Sequence, residues 1–198
     1  MRFIESILFK DGRYINLPLH QARLDGVFAQ FLSGHDSHDL EQILPNLKLA
    51  GTYKVRMVYD VDSEDATYDL EFIEYQARKI ETLEVVHTAS IHYSYKYEDR
   101  SSIDSLLRES SADDIIIAVK NKLTDGSYFN LAFWDGTFWF TPNTPLLNGV
   151  RRTQLIHEGR IKEREIQVDD LSAFEKVSLI NAMLDLGQLE LPISQIKS

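Results

Sequence analysis

The sequence predicts a mixed α+β protein with two domains, a small one over residues 1–80 and a larger, strand-rich one over 81–198. Several segments alternate apolar and polar residues with period two around Asp-Gly pairs, a pattern typical of β-hairpins. Other segments carry apolar residues at helical spacing. The stretch 76–81 is polar and charged with few apolar anchors, so we place the domain boundary there.

The composition is that of a globular protein with a sizeable core. The chain has 198 residues, of which 43% are apolar and 26% are charged. It contains no cysteine, which excludes disulfides, thiolate metal ligands and cysteine nucleophiles. We predict no metal site.

The charge and the N-terminus limit the classes of partner. Residues 1–13 alternate apolar and polar side chains, which predicts a strand rather than a signal peptide. No window approaches the roughly 20 apolar residues that span a bilayer, so we expect a cytoplasmic protein without a membrane partner. The formal net charge of -10 argues against nucleic acid, which needs a cationic face. Residues 151–164 are locally cationic, but acidic residues follow at once.

Two hairpins and two helices are predicted in the first domain. The hairpins pair 2–9 with 14–17 through Asp11-Gly12, and 53–59 with 67–75 around the acidic turn 60–65. The helices cover 19–32, with Gly34 near the end, and 40–47, and the polar stretch 33–38 joins them as a loop.

The second domain alternates short strands with short helices. Strands are predicted at 83–87, 91–95, 115–119, 129–134, 138–141, 161–168, 176–180 and 189–193. Helices are predicted at 101–109, with a serine cap, at 150–157, ended by Gly159, and around 169–174.

A lysine and an acid in this domain suggest a pyridoxal phosphate (PLP) site. Lys96 is predicted at the end of an aromatic strand, and Asp125 at the turn Thr124-Asp125-Gly126, from which the two could meet across a cleft. PLP chemistry needs an amine for a Schiff base and an acid at the ring nitrogen. The alternatives are a solvated surface lysine and an ordinary Asp-Gly turn.

Phosphate donors have candidates as well. Gly149-Val150-Arg151 opens a predicted helix, whose first N–H groups suit an anion. Arg23 could reach a phosphate from its helix, and Arg56 lies in an otherwise apolar strand. Each also fits a simpler interpretation, a plain helix start or a surface arginine paired with an acid.

The order of these motifs resembles class IV aminotransferases, the fold-type IV PLP enzymes, over most of the chain. The quoted motifs are Glu5, Asp11-Gly12, His20-Gln-Ala-Arg23-Leu24, Lys96-Tyr-Glu-Asp99-Arg100, Thr124-Asp125-Gly126, 129–133, Asp135-Gly136, Phe140-Thr141-Pro142, Gly149-Val150-Arg151-Arg152 and Asn181-Ala182-Met183. The resemblance implies a fold like that of D-amino-acid aminotransferase, with a small N-terminal α+β domain, a larger C-terminal β-rich pseudo-barrel domain and a homodimeric assembly.

The resemblance also implies a role for each matched residue. Lys96 would form the Schiff base and Asp125 would face the ring nitrogen. Arg100 would bind a substrate carboxylate. The phosphate-binding and cofactor-binding set would be Arg23, Val150, Arg151, Asn181 and Ala182.

This chain departs from the family pattern at two of these positions. Asp125 stands where the family has glutamate, so the carboxylate is one methylene shorter. Arg151 replaces the usual threonine and keeps only the backbone N–H of that residue.

The Lys96-x-x-x-Arg100 spacing and the short chain are most similar to aminodeoxychorismate lyase. That enzyme releases pyruvate from 4-amino-4-deoxychorismate and gives 4-aminobenzoate for folate biosynthesis. Two alternatives stay open. One is an aminotransferase of the branched-chain or D-amino-acid type, and the other is a binding or regulatory module that keeps the fold and has lost turnover.

Overall fold

A computed structural model describes residues 1–32, 35, 37–61 and 67–198. The chain forms two compact units, one of Met1–Gln76 with Tyr95–Asp99 and one of Ala77–Ser94 with Arg100–Ser198. The sequence predicted one boundary at residue 80. In the structure the chain changes units three times, because Tyr95–Asp99, which includes Lys96, belongs to the first unit.

The first unit is a four-stranded antiparallel sheet with helices packed on it. Its elements are β1 (Arg2–Lys10), β2 (Arg13–Tyr14), α1 (Leu17–Phe31), α2 (Leu40–Ile43), β3 (Thr52–Asp60) and β4 (Tyr68–Glu74). The strand order is β2-β1-β3-β4. Both predicted hairpins are present, but the second strand of the first one, predicted at 14–17, is confined to Arg13–Tyr14, and Leu17 already belongs to α1. Positive φ at Asp11 and Gly12 forms the first turn, as the Asp-Gly pair predicts.

The core of this unit lies between α1 and one face of the sheet. Phe3, Ile7 and Phe9 alternate along β1 and pack with Leu24 and Phe28 of the helix. Gly34, part of the predicted loop 33–38 and most of the predicted turn 60–65 lie outside the described residues.

The second unit contains two mixed sheets. Its elements are β5 (Leu83–Thr88), α3 (Ser101–Glu109), β6 (Asp114–Val119), β7 (Lys122–Gly126), β8 (Asn130–Trp134), β9 (Trp139–Pro142), α4 (Val150–His157), β10 (Lys162–Arg164), a 3₁₀ helix (Val168–Ala173), β11 (Lys176–Ile180), β12 (Glu190–Pro192), a second 3₁₀ helix (Ile193–Gln195) and β13 (Ile196–Lys197). The strand orders are β13-β5-β6-β7 and β10-β9-β8-β11-β12.

One apolar core joins these two sheets. Leu83 and Ile116 of the first sheet share it with Leu131, Phe133 and Leu179 of the second, and all five are fully buried. The strands β6 and β8 are buried along almost their whole length, in agreement with the apolar runs 115–119 and 131–134 that follow their first residues.

Several local predictions for this unit were wrong. Thr124-Asp125-Gly126 is the end of strand β7, and the turn that precedes this strand is Lys120-Asn121, where both φ angles are positive. This two-residue connection supplies the hairpin geometry that Thr-Asp-Gly was expected to supply.

Residues 91–95 form no strand, so Lys96 does not end one. Helix α3 begins after Arg100 without a side-chain cap, so the predicted serine cap is absent. The long strand predicted at 161–168 is confined to Lys162–Arg164.

None of the helices in the described residues combines the length and the hydropathy that a membrane span requires.

Candidate active site

Lys96 lies at the apex of a three-residue turn in the first unit. The Tyr97 N–H donates to the Tyr95 carbonyl at 2.9 Å, which closes the turn around Lys96. The Lys96 carbonyl accepts from Ile4 N–H at 2.9 Å, so the turn is attached to the edge of β1.

Aromatic side chains on either side of Lys96 hold this turn. Tyr95 packs edge-on against Phe31 with ring centroids 4.9 Å apart, and Tyr97 lies 5.2 Å from the ring of Phe3. The backbone of the lysine is thereby fixed by its neighbours. Tyr95 and Tyr97, the aromatic neighbours of Lys96 in the sequence, therefore fix the turn in place.

A buried acid on β1 holds two side chains of α1. Glu5 is fully buried and lies in the row of β1 residues that faces the helix. Its Oε1 accepts from Arg23 Nε at 2.7 Å, and its Oε2 accepts from Arg23 Nη2 at 2.5 Å. His20 Nδ1 lies 2.6 Å from Oε2. His20 and Arg23 are three residues apart on the helix, so they share the face that covers Glu5.

The electrostatics of this cluster are set by burial and by the paired charges. Burial alone would raise the pKa of Glu5, but Arg23 and His20 hold that pKa far below its usual range. Burial lowers the pKa of His20, and the charges of Arg23 and Lys96 lower it further against the opposing effect of Glu5. An ionised Glu5 requires the proton on His20 Nδ1, which makes Nε2 the bare nitrogen.

Arg56, a candidate from the sequence, forms an ion pair beside the Lys96 turn. Its Nη2 lies 2.9 Å from Glu98 Oε1, and Arg2 Nε lies 3.2 Å from the other oxygen of the same carboxylate. The simpler interpretation of Arg56 as a charge paired with an acid therefore describes its contacts.

In the second unit, Asp125 is buried near the end of β7 and is hydrogen-bonded on both oxygens. Oδ2 accepts from the backbone N–H groups of Leu146 and Leu147, at 2.8 and 3.0 Å. Oδ1 accepts from Asn130 Nδ2 at 2.7 Å. The carboxylate therefore fastens the loop that precedes α4 to the sheet.

Burial raises the pKa of Asp125 to about 6, against the lowering effect of these hydrogen bonds and of the Arg152 charge. The group is therefore ionised only above mildly acidic pH. It can then balance a positive charge, as a ring-nitrogen partner must.

The start of α4 offers backbone donors. Gly149 is the N-cap residue and supplies no capping side chain, and its carbonyl accepts from Thr153 N–H at 2.9 Å. A Cβ at Gly149 would lie 2.0 Å from Asn130 Oδ1, so a glycine is needed here for close approach. The first N–H groups of a helix have no partner within the helix, and here they include those of Val150 and Arg151.

Arg151 links this helix start to the turn after β11. Its side chain is buried; Nη1 donates to Gln154 Oε1 at 2.8 Å and Nη2 donates to the Ala182 carbonyl at 3.4 Å. Its Nε has no hydrogen-bond partner among the described residues. The structure thus brings together the Gly149–Arg151 corner and Ala182, which the sequence had proposed as one phosphate-binding set.

Asn181 and Arg152 have mainly architectural contacts. Asn181 Oδ1 accepts from Met183 and Leu184 N–H at 2.8 and 3.0 Å and closes the turn after β11. Arg152 is buried and donates to the Pro142 carbonyl at 2.9 Å and to Glu163 Oε1 at 2.6 Å.

Arg100 is largely enclosed by aromatic groups. Its guanidinium carbon lies 4.0 Å from the centre of the Tyr128 ring, Nη1 donates to Tyr93 Oη at 3.2 Å, and Nη2 donates to the Ser127 carbonyl. Only 13% of the side chain is exposed. The predicted contact with a substrate carboxylate would have to use this restricted surface.

Sequence reasoning assigned no role to Asn130 or His20 and none of its own to Glu5. A signal did exist for Glu5, because an acid in the inward-facing row of an apolar strand requires a buried partner. Asn130 carried no such signal, because its side chain links Asp125 to Leu147, and these two residues are far apart in the sequence. Among the described residues, no three His, Cys, Asp or Glu side chains are grouped so as to hold a metal ion.

Comparison with known proteins places this chain among relatives of its own length. An uncharacterized protein of Haemophilus influenzae is 34% identical over 181 residues, which are 90% of this chain and 96% of that protein. A structure from Haemophilus somnus 129pt, provisionally assigned as a 4-amino-4-deoxychorismate lyase, is 31% identical, with a TM-score of 0.83 over 93% of this chain and 97% of that one.

A more distant structure shares the fold alone. A hypothetical aminotransferase from Mycobacterium tuberculosis in its PLP-bound form is 16% identical, with a TM-score of 0.72 over 95% of this chain and 80% of that one. The mixed α+β, fold-type IV architecture expected from the sequence is thereby confirmed.

The sequence profile of the family described as amino-transferase class IV matches residues 2–196. This match covers nearly the whole chain, and the resemblance noted in its motifs is confirmed. The chain belongs to the amino-transferase class IV family, whose members are PLP-dependent.

Proposed function

We propose that this protein is a PLP-dependent lyase that converts 4-amino-4-deoxychorismate into 4-aminobenzoate and pyruvate, a step of folate biosynthesis. The observation that carries the proposal is the likeness to the Haemophilus somnus structure, which is provisionally assigned to this reaction and matches 93% of the chain at 31% identity. The Lys96-x-x-x-Arg100 spacing supports the same choice.

The residues of this chain fit PLP in three respects. Lys96 is an amine on a turn fixed by aromatic neighbours. The start of α4 has no capping side chain, and a buried Arg151 Nε without a described partner lies in its first turn. Asp125 has a pKa of about 6, so it is ionised at neutral pH.

Each residue then has a proposed role. Lys96 would hold the cofactor covalently through Nζ, and Asp125 would balance the charge at its ring nitrogen. Arg100 contacts the substrate carboxylate. The Arg23 guanidinium and the backbone N–H groups of Val150, Arg151 and Ala182 would hold the phosphate, and Asn181 would shape the turn that carries Ala182.

PLP supplies an electron sink when bound. This chain supplies the proton transfers. The Lys96 amine, free once the substrate amine is bound, would take the proton from the substrate carbon that bears the amino group. The C–O bond to the enolpyruvyl group would then break, and a returned proton would let this group leave as pyruvate. The atoms of 4-amino-4-deoxychorismate equal those of 4-aminobenzoate plus pyruvate, so no co-substrate is required.

An experiment separates this reaction from transamination. Purified protein loaded with PLP is mixed with 4-amino-4-deoxychorismate, and pyruvate is measured with and without an added 2-oxo acid. The proposal predicts pyruvate release without the acceptor. Amine transfer that depends on the 2-oxo acid, with no release in its absence, would contradict it.

An aminotransferase of the branched-chain or D-amino-acid type is the second candidate. Membership in the class IV family favours it, because aminotransferases give the family its name. A screen of branched-chain and D-amino acids as amine donors to 2-oxoglutarate tests this candidate directly.

A third candidate is a binding or regulatory module without turnover. The hydrogen bonds on both oxygens of Asp125 favour it, because these contacts give the residue a structural task independent of any cofactor. A protein that takes up PLP and shows neither pyruvate release nor amine transfer would support this candidate.

The expected assembly and location are part of the proposal. We propose a homodimer, as the family resemblance implies, in the cytoplasm, where the substrate of folate synthesis would be met. The mass in solution from light scattering tests the assembly.

A further inference from the structure

Glu5, His20 and Arg23 form a hydrogen-bonded cluster. Arg23 could bind an anion without the contacts that Glu5 makes to it and to His20. We expect the Arg23 side chain to bind the phosphate, yet its Nε and Nη2 already donate hydrogen bonds to the Glu5 carboxylate, at 2.7 and 2.5 Å. A bidentate contact of this kind fixes both the plane and the direction of a guanidinium. Nη1 and the second N–H of Nη2 are then directed away from Glu5.

His20 completes the environment of the carboxylate. Its Nδ1 lies 2.6 Å from Glu5 Oε2, on the same oxygen that accepts from Arg23 Nη2. Its Nε2 is buried and has no hydrogen-bond partner among the described residues. A buried imidazole nitrogen without a partner is uncommon in folded proteins and is explained when a ligand or water supplies that partner.

Stability alone does not account for this arrangement. A buried ion pair is often no more stabilising than well-packed apolar side chains of the same volume. Apolar residues would fit the setting, since the neighbours on this face are Phe3 and Ile7 of β1 and Leu24 of α1. The arrangement does fix the direction of one cationic fork and one imidazole.

We propose that Glu5 is a positioning residue for the cofactor phosphate. It holds the Arg23 guanidinium with its outer edge presented to the phosphate, and it holds His20 with the proton on Nδ1 so that Nε2 faces away from the carboxylate. This inference rests on the proposed binding of PLP, and it adds a residue that does not itself touch the cofactor.

The test compares a ligand that carries the phosphate with one that lacks it. Dissociation constants for PLP and for pyridoxal are measured on the apoprotein, and the constant for pyridoxal divided by the constant for PLP reports the contribution of the phosphate. In Glu5→Gln an amide N–H group replaces one of the two oxygens that accept from the guanidinium. The bidentate contact is lost, and the orientation of the guanidinium is no longer fixed. We expect this ratio to fall by about tenfold or more, because a charge-assisted hydrogen bond contributes about 1.5–3 kcal/mol. The affinity for pyridoxal should stay unchanged.

Two further variants make the result decisive. Glu71→Gln, on the exposed side of β4, is the matched control and should keep the wild-type ratio. Glu5→Asp keeps the charge that pairs with Arg23 but withdraws it by one methylene, so it provides the same test if Glu5→Gln does not fold.

The possible outcomes are distinct. A merely structural Glu5 would weaken PLP and pyridoxal equally, or lower the melting temperature without changing the ratio, and either result would overturn the inference while leaving the proposed function intact. A wild-type protein that binds no PLP would overturn the proposed function and this inference with it. A ratio that falls in Glu5→Gln or Glu5→Asp and not in Glu71→Gln would support it.

Discussion

The side-chain amide of Asn130 donates a hydrogen bond to Asp125 Oδ1 at 2.7 Å and a second to the Leu147 carbonyl at 2.9 Å. The Leu147 N–H in turn donates to Asp125 Oδ2 at 3.0 Å. These three groups form a closed ring of hydrogen bonds that joins the end of β7, the start of β8 and the loop before α4. Asp125 thus sets the position of the helix start as well as serving as the proposed ring-nitrogen partner.

Titration of Asp125 should make the stability of the protein depend on pH in a defined direction. Burial raises the pKa of this carboxyl to about 6 in the folded protein, against about 3.9 for an unperturbed aspartate, a difference that corresponds to about 3 kcal/mol. Because folding favours the protonated form, this contribution is present below pH 4 and is lost as the pH rises through about 6.

The measurement is the unfolding free energy of the wild type minus that of Asp125→Asn, from urea titrations between pH 4 and pH 8. Subtraction removes the effects of all other titrating groups. The difference should fall up to about pH 6 and then level off. A difference that rises with pH would mean that the hydrogen bonds outweigh burial at this carboxyl.

Substitution of Gly149 should weaken both the fold and the cofactor site. In Gly149→Ala the new Cβ would lie 2.0 Å from Asn130 Oδ1, and Asn130 cannot move without breaking its bonds to Asp125 and Leu147. We expect a loss of about 1–3 kcal/mol in unfolding free energy, as for other overpacked sites, together with weaker PLP uptake.

Gly26→Ala is the matched control for this substitution. Gly26 lies within α1, and nothing stands within 4 Å of a Cβ built on it. Alanine should therefore stabilise the helix by about 0.5–1 kcal/mol. Equal effects of the two substitutions in chemical denaturation would refute the close approach at Gly149.

Arg100 should contribute to stability through the shape of its guanidinium. Arg100→Lys keeps the charge but cannot stack on Tyr128 and donate to both Tyr93 and Ser127. We expect a loss of about 1–3 kcal/mol. Arg108→Lys, at the exposed end of the helix α3 that begins after Arg100, should change stability by less than about 0.5 kcal/mol. Thermal unfolding in which the two variants match the wild type would show that these contacts carry no energy.

The prediction of helices and strands from the sequence succeeded at several elements with a strong local signal, although the helix predicted at 40–47 is confined to Leu40–Ile43. The bounds of α3, α4 and β11 agree residue for residue with the predicted ranges. The bounds of such elements are determined by features of the nearby sequence, namely the hydrophobic periodicity and the positions of glycines. The wrong cap at α3 did not shift the helix, because its amphipathic pattern sets its extent.

The errors arose where a distant part of the chain decides the structure. Thr124-Asp125-Gly126 has the composition of a turn, yet it pairs with β6 because the actual turn is at Lys120-Asn121. Tyr93 and Tyr95 alternate like a strand, but the segment is held by ring contacts to Phe31 and by β1. Neither partner is visible from the local sequence.

The candidate residues illustrate the same limit. The likeness to a family singled out Lys96, Arg23, Asp125 and Arg151 through the order of motifs, without showing what each side chain contacts. The pairing of Arg23 with Glu5, across 18 residues, required the structure. So did the contact of Arg151 with Ala182, across 31 residues.

The role proposed for Lys96 as the residue that carries the cofactor can be tested by chemical trapping. Wild-type protein incubated with PLP is reduced with borohydride and digested, and the pyridoxyl group is located by mass spectrometry, with Lys96→Ala and Lys54→Ala treated in parallel. We expect a single modified site at Lys96, a visible absorption band that is lost in Lys96→Ala, and normal labelling in Lys54→Ala. Modification at another lysine with Lys96 unmodified, or a band that persists in Lys96→Ala, would show that Lys96 does not carry the cofactor.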